Sequence, residues 1–257
     1  MNTKIFSYVV KNLNEIWHLP RYESIRQSIA EDTALDQFPW TESKKNKFQQ
    51  ALKKTFDLDQ VPNLQGSIRN LVRQIDRLYM MRFFGEIWKP KTESYFWSGW
   101  RIAEEINKLS PRRVLDVGCG YHPFKGRIDN LTGIDPYNNC ADFMVDILDY
   151  RVEPGSYDHI IALGSINFND LADIEERFSH VVDLLAPNGS LWMRANPGIS
   201  WPNGPWVDIF PWTFESAYQL SKKYGCEINA FKQDHDRLFI RFIKSDTVES
   251  QNSAAAA

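Results

Sequence analysis

The chain has 257 residues, of which 43% are hydrophobic and 25% are charged, and its formal net charge is −3. This composition is ordinary for a soluble globular protein, and no apolar run approaches the roughly 18 residues that would span a bilayer. The N-terminus lacks the long apolar stretch of a secretory signal, so we expect a cytoplasmic protein without a membrane partner. The three cysteines lack the spacing of a zinc site, which predicts reduced thiols and no bound metal.

The first 94 residues are predicted to form a helical extension that precedes the main domain. The segments 43–56 and 66–87 place apolar residues three and four positions apart, which is typical of amphipathic helices. Residues 1–94 carry 15 Lys and Arg against 11 Asp and Glu, a mild basic excess. Solvated helix faces explain this excess better than a nucleic-acid surface, which usually has a denser basic cluster.

From Arg112 onward the sequence changes to short apolar runs separated by helical patterns or loops, which is typical of a parallel α/β sheet. Seven strands are predicted, at 113–117, 131–135, 142–145, 158–163, 189–194, 226–230 and 237–243. Helices are predicted at about 122–128, 170–185 and 213–224, with a turn at Pro187-Asn188-Gly189 before the fifth strand. We therefore expect a Rossmann-like, seven-stranded and mostly parallel sheet with helices on both faces over residues 95–244, then a disordered tail over 245–257.

The most informative segment runs from Val114 to Gly120 and predicts a buried strand followed by a glycine turn. Two glycines at alternate positions, Gly118 and Gly120, permit backbone conformations and close approaches that a Cβ would block. Asp116 is the exceptional residue, because a carboxylate at the end of a buried strand is unfavourable unless it is paired or hydrogen-bonded. It therefore either caps the turn or contacts a ligand.

Two further acidic residues follow the next two predicted strands. Asp135, followed by Pro136, ends the second strand, and Asp146, followed by Ile147, comes after the third. Because ligands of open α/β sheets bind at the carboxyl ends of the strands, the three carboxylates are expected to share one crevice. Each of them also has a simpler explanation, since any one alone can merely cap a turn.

Two other nucleotide-binding patterns fit this turn poorly. A dinucleotide-binding dehydrogenase has a third glycine that lets the helix pack against the strand, whereas Tyr121, His122 and Pro123 follow Gly120 here. The Gly-Lys-Ser/Thr sequence of a Walker phosphate loop is absent from this turn as well.

Taken as a series, these segments resemble a class I S-adenosylmethionine-dependent methyltransferase over residues 112–243. The resemblance implies that the glycine turn surrounds the methionine part of the cofactor. It also implies that Asp135 binds the ribose hydroxyls and that Asp146 contacts the adenine amino group. The residues implied to bind the cofactor are Asp116, Gly118, Cys119, Gly120, Tyr121, Asp135, Pro136, Asp146, Ile147, Leu163, Gly164 and Ser165. The sequence departs from the family at His122 and Asn188, where glycine is more usual.

The long loop after the fifth predicted strand, residues 194–212, is the main clue to the methyl acceptor. Long loops inside compact domains are often functional, and the prolines and three tryptophans of this one predict a stiff aromatic wall. The candidate acceptor-binding residues are Arg194, Asn196, Trp201 and Trp206, and the candidate catalytic residues are His122, Asn167 and Asp208. A packing or capping role is the alternative for each of them.

A cluster of aromatic residues opens the helix that leads into the first strand. Its members are Tyr95, Phe96, Trp97 and Trp100. Such a cluster either covers the cofactor or joins the extension to the core, and aromatic residues at this spacing are more often core.

The resulting hypothesis is an S-adenosylmethionine-dependent methyltransferase that acts on a small-molecule acceptor mainly by proximity and orientation and releases S-adenosylhomocysteine. A DNA amino-methyltransferase is disfavoured, because no proline pair follows the fourth predicted strand at residues 164–168. An RNA or other macromolecular acceptor remains an alternative, as does a non-catalytic scaffold that binds the cofactor.

Overall fold

The computed structural model describes residues 97–199 and 209–246, together with Phe84. These two ranges belong to one of the two compact units into which the chain divides. Apart from Phe84, the predicted N-terminal extension over 1–94 lies outside the described residues, as does the predicted tail beyond residue 246. Within the described ranges, no helix is both long and apolar enough to cross a membrane.

Three helices and six strands make up the described part of the chain. In chain order they are α1 (Trp100–Asn107), β1 (Val114–Val117), β2 (Leu131–Ile134), β3 (Tyr157–Leu163), α2 (Leu171–Leu184), β4 (Leu185–Ala195), α3 (Phe214–Lys223), β5 (Cys226–Asp234) and β6 (Arg237–Lys244). Five of the seven predicted strands and two of the three predicted helices overlap these elements closely, and β4 begins before its predicted start.

The strands form one mixed sheet in the order β2-β1-β3-β4-β6-β5. β1 pairs in parallel with β2 and with β3, and β3 pairs in parallel with β4. β6 is antiparallel to both of its neighbours, β4 and β5. The parallel half therefore holds β1, β2 and β3 side by side, so that their carboxyl ends lie along one edge.

The predicted strand at 142–145 is not a strand in the structure, so the described sheet has six strands rather than seven. It contributes a single parallel bridge between Ile134 and Phe143. The chain bends at once after this bridge, because the N–H of Val145 bonds the carbonyl of Phe143 two residues earlier, at 3.0 Å. A segment that turns back on itself within two residues cannot continue a ladder.

The predicted helix at about 122–128 is also wrong, and a series of turns replaces it. His122 has a φ of 55°, in the left-handed region that a helix cannot pass through. Isolated hydrogen bonds close the turns instead, including those from Lys125 N to His122 O and from Ile128 N to Phe124 O.

The predicted turn at Pro187-Asn188-Gly189 occurs as an irregularity inside β4. The pairing with β3 jumps from Leu185 to Ser190 there, and Asn188 has a φ of 61°. A Cβ on Gly189 would lie 2.7 Å from the carbonyl oxygen of Ala186. The chain therefore needs glycine at this point to leave and rejoin the ladder.

Apolar side chains cover both faces of the sheet, because side chains alternate along each strand. Val114 faces a core that includes the buried side of α1, whereas its neighbour Leu115 faces a larger core that includes α2 and α3. On the first face Trp97 stacks on Phe239 at 6.1 Å and Trp100 meets the edge of Phe124 at 5.3 Å, measured between ring centroids. These two tryptophans are packing residues, while Tyr95 and Phe96 lie outside the described residues.

Candidate functional site

The glycine turn leaves β1 and folds tightly against the end of β2 and the segment after β3. The N–H groups of Gly118 and Cys119 both bond the carbonyl of Ile134, at 2.8 and 3.1 Å. Gly118 and Gly120 have φ values of 69° and 57°, which glycine adopts without strain. A Cβ on Gly118 would lie 2.5 Å from the Cβ of Ser165, so a side chain does not fit there.

Asp135 ties the glycine turn to the end of β2. Its Oδ2 accepts a hydrogen bond from Gly120 N at 2.9 Å. Its Oδ1 accepts from Tyr137 N at 2.7 Å, from Asn138 N at 2.9 Å and from Asn138 Nδ2 at 3.2 Å. The capping role that the sequence allowed for this carboxylate is therefore real, and it places Asp135 directly against the glycine turn.

Asp116 is a buried carboxyl group in the strand next to Asp135. Only 3% of the residue is exposed, and it pairs with Gly133 on one side and Ile161 on the other. Burial, reinforced by the charge on Asp135, raises the pKa of Asp116 to about 7. This site therefore contains one acid that holds its proton well above the usual range of a carboxyl group.

Ser165 presents a buried hydroxyl to the same turn. No hydrogen-bond partner for its Oγ occurs among the residues that the structure describes. Buried hydroxyls nearly always have a partner, so an orphaned one beside a glycine turn fits a ligand group that would supply it. Leu163 and Gly164, which precede Ser165 at the end of β3, are partly exposed.

Asp146 lies in the turn that follows the Phe143 bridge and is 8% exposed. Its Oδ1 accepts from Leu148 N at 2.9 Å, which caps the turn. The Nη1 of Arg177, on α2, bonds both carboxylate oxygens of Asp146, at 2.9 and 3.1 Å. Asp146 is thus held from two directions.

The other predicted cofactor residues surround these groups. Cys119 and Ile147 are buried, Pro136 is partly buried and Tyr121 is exposed. Burial, with nearby carboxylates, raises the pKa of the Cys119 thiol above its usual value, so this cysteine is not a nucleophile at neutral pH.

His122 occupies a closed environment rather than an open catalytic one. Its Nε2 lies 3.0 Å from Asp142 Oδ2, which also accepts from Gly133 N at 2.9 Å, and Lys125 bonds the other oxygen of Asp142. Burial lowers the pKa of His122, and the charge on Asp142 offsets only part of this effect. The neutral ring packs on Gly133, where a Cβ would lie 2.1 Å from Nε2.

The candidates Asn167, Arg194 and Asn196 meet where the segment after β3 reaches the end of β4. Asn167 donates from Nδ2 to Arg194 O at 3.1 Å and accepts at Oδ1 from Asn196 N at 2.9 Å. The Oδ1 of Asn196 accepts from Gly198 N and Ile199 N, both at 2.8 Å. Both amide side chains therefore bind backbone groups, which is a structural role.

Three further candidates, Trp201, Trp206 and Asp208, lie outside the described residues. The third tryptophan of that loop, Trp212, is 1% exposed and donates from Nε1 to Ile166 O at 2.9 Å. Trp212 is therefore a core residue and not part of an aromatic wall.

Sequence reasoning missed Arg177, Asp142 and Gly133. Arg177 had a detectable signal, because it falls on the apolar stripe of α2 with Ile174 and Phe178, both buried. An arginine on the buried side of an amphipathic helix needs a carboxylate partner. Nothing local in the sequence pairs Asp142 with His122 or requires glycine at residue 133.

No family model and no curated protein matches the chain. Solved structures match it in fold. The 1,6-didemethyltoxoflavin-N1-methyltransferase of Burkholderia thailandensis, solved with S-adenosylhomocysteine and 1,6-didemethyltoxoflavin, is 13% identical with a TM-score of 0.50, covering 66% of this chain and 86% of its own.

Two further structures are similar at lower TM-scores. The N-methyltransferase NodS of Bradyrhizobium japonicum, in complex with S-adenosylhomocysteine, is 16% identical with a TM-score of 0.44, covering 56% of this chain and 86% of its own. The [4+2]-cyclase SpnF is 16% identical with a TM-score of 0.47, covering 58% of this chain and 83% of its own.

The similarity to the Burkholderia enzyme shows that this chain has an α/β fold of the class I methyltransferase type, as the resemblance implied. At 13% identity this similarity is one of fold. Activity has to be argued from the site, since one fold supports many functions.

Proposed function

We propose that this protein is a methyltransferase that binds S-adenosylmethionine at the carboxyl ends of β1, β2 and β3. The observation that carries the proposal is the orphaned hydroxyl of Ser165 beside a glycine turn that Asp135 fastens. S-adenosylmethionine bound there would supply an activated methyl group on a sulfonium centre. The fold and the bound S-adenosylhomocysteine of the Burkholderia neighbour support this choice of cofactor.

Different residues of the chain would recognise different parts of this cofactor. Asp135 would accept the ribose hydroxyls, because Oδ2 has one donor, Gly120 N, among the described residues and an oxygen accepts two. Asp146 would accept the adenine amino group. The turn from Gly118 to Gly120 would lie against the methionine part, with the hydroxyl of Ser165 as a hydrogen-bonding partner.

We propose a small-molecule acceptor that is positioned rather than activated. Of the residues that the sequence suggested as catalytic, Asn167 uses both ends of its amide on backbone groups. The ring of His122 is buried, and its Nε2 is held by Asp142. Holding an acceptor in line with the methyl group and excluding water supplies about 7–11 kcal/mol of such a barrier. The Burkholderia neighbour, an N1-methyltransferase solved with 1,6-didemethyltoxoflavin bound, supports this class.

A labelled transfer assay tests the acceptor class. The chain is incubated with methyl-labelled S-adenosylmethionine and with one of two acceptor pools. The pools are total RNA and a metabolite extract below about 3 kDa, a tenth of the 30.0 kDa of this chain. We expect label in the small-molecule fraction, and loss of that label with Asp135→Asn. Label in RNA alone would contradict the small-molecule proposal, and binding without transfer to either pool would favour a scaffold.

A further inference from the structure

The buried ion pair between Arg177 and Asp146 joins two elements that are distant in sequence. Arg177 lies in the second turn of α2, whereas Asp146 lies in the turn beyond the edge of the sheet. The side chain of Arg177 is 23% exposed and that of Asp146 is 8% exposed. Both charges are therefore largely removed from water, and each requires the other.

The turn at Asp146 is already capped without Arg177, so capping does not explain why an arginine lies there. Leu148 N already bonds the Oδ1 of Asp146 at 2.9 Å, and the carbonyl of Asp146 accepts from Asp149 N and Tyr150 N at 2.9 and 3.0 Å. An Asx turn of this kind forms without a cation. Burying a guanidinium is unfavourable, so a cation placed there in addition to the cap calls for another explanation.

Arg177 fixes both the charge and the rotation of the Asp146 carboxylate. Its Nη1 contacts both oxygens, at 2.9 and 3.1 Å, and a carboxylate held at Oδ1 by Leu148 N as well cannot turn about its Cβ–Cγ bond. Burial of the guanidinium lowers the pKa of Arg177, but the charge and hydrogen bonds of Asp146 outweigh that effect and raise it above its usual value. The guanidinium therefore keeps its positive charge beside the Asp146 carboxylate at neutral pH.

We propose that Arg177 is a positioning residue that makes Asp146 selective for a 6-amino purine in the cofactor. The inference rests on the proposed function, in which Asp146 faces the base. A fixed, ionised carboxylate can only accept hydrogen bonds, so it pairs with the amino group of adenine and repels the oxygen at the same position of hypoxanthine. A carboxylate released from Arg177 could rotate or take up a proton, and would then tolerate both bases.

Binding titrations with S-adenosylhomocysteine and its hypoxanthine analogue, S-inosylhomocysteine, test this role. The parent chain is expected to prefer the adenine compound by roughly tenfold or more, the size of a hydrogen bond to a charged group. Arg177→Met should reduce that preference to about twofold or less. Arg177→Lys, which keeps the charge without the planar group, should fall between them.

Two comparisons separate positioning from a general loss of structure. Lys223→Met removes an exposed cation whose partner, Glu175, also lies on α2, and it should leave the preference unchanged. In an Asp146→Asn background the preference for the adenine compound should already be lost, so Arg177→Met should not reduce it further. Thermal melts identify any variant that fails to fold, in which case Arg177→Lys decides.

The outcomes distinguish a failure of the proposed function from a failure of the positioning role of Arg177. A parent chain that binds neither compound contradicts the proposed function and, with it, the role of Arg177. A parent chain that binds and discriminates, together with a folded Arg177→Met that discriminates equally well, overturns the positioning role alone.

Discussion

His122 determines the local geometry of the glycine turn by filling the space above Gly133. A Cβ added to Gly133 would lie 2.1 Å from the Nε2 of His122, so the imidazole occupies the space of a side chain at residue 133. The hydrogen bond between Nε2 and Asp142 keeps the ring in place. The usual third glycine of such turns is thus replaced by a histidine, and a glycine on the neighbouring strand provides the room. The two residues form a complementary pair.

This complementarity predicts a non-additive double mutant. Gly133→Ala should destabilise the parent by about 1–3 kcal/mol, because the ring has to move out of a close-packed site. The same change should have little effect in a His122→Ala background, where the space is open. Urea denaturation of the four proteins measures the coupling, and an equal effect of Gly133→Ala in both backgrounds would contradict it.

Asp116 predicts an unusual dependence of stability on pH. Its pKa is raised from 3.8 to about 7 in the folded chain. Between these values the folded state holds a proton that the unfolded state releases, so the free energy of unfolding decreases as pH rises from about 4 to 7. Asp116→Asn removes this titration. The effect of the substitution on the free energy of unfolding should therefore be more stabilising at pH 8 than at pH 4, by up to about 4 kcal/mol.

Denaturation curves of the parent and Asp116→Asn at both pH values measure this difference. Asp129→Asn, which changes an exposed carboxylate after the glycine turn, is the control and should not reproduce this difference. A stabilising effect of Asp116→Asn that is the same at pH 4 and pH 8 would show that Asp116 titrates normally.

At the scale of elements, two asparagines join the segment after β3 to the end of β4. Asn167 bridges the backbone of Arg194 and Asn196, and Asn196 in turn holds the backbone at Gly198 and Ile199. A further bond, from Trp212 N to Asn196 O at 2.9 Å, attaches the chain that returns toward α3. These amides determine where the described ends of the loop leave and rejoin the sheet.

The acceptor oxygen of Asn196 is the critical atom of this junction. Asn196→Ala removes the acceptor of two part-buried hydrogen bonds, those from Gly198 N and Ile199 N, and should cost about 1–3 kcal/mol of stability, at about 0.5–1.5 kcal/mol for each bond. Asn196→Asp keeps the acceptor for both N–H groups, while it replaces the donor to Ile199 O with a second acceptor. Hydrogen exchange at the Gly198 and Ile199 amides should accelerate in the alanine variant alone, and equal acceleration in both variants would assign the role to another group.

The type of element was predictable where a periodic pattern is long, and it was not predictable where tertiary contacts decide it. The patterns of α2 and α3 extend over at least ten residues, and their predicted ends are correct to within one residue. The segments 122–128 and 142–145 are short, and the positive φ of His122 and the bend after Phe143 depend on tertiary contacts of Asp142 and Gly133. Propensity carries no information about such contacts.

At the scale of the whole described molecule, the mixed sheet brings residues from three separate segments to one edge. The sequence predicts the placement of Asp116 and Asp135 on neighbouring parallel strands, whereas Asp146 follows an isolated bridge and not a strand. The sequence does not predict what each acid binds: Asp135 holds four donors, Asp146 holds Arg177, and Asp116 is protonated in the lower part of the neutral range. Those differences arise from side chains that only the fold brings together.

Titration of the purified chain with S-adenosylhomocysteine, followed by calorimetry, tests the central claim most directly. We expect saturable binding at one site, weakened roughly tenfold or more in Asp135→Asn, which removes a charged acceptor, and unchanged in Asp129→Asn. The absence of binding to the parent chain at millimolar ligand, the weak end of the range for enzyme ligands, would contradict the cofactor site. Binding to Asp135→Asn as tight as to the parent would contradict the role of Asp135.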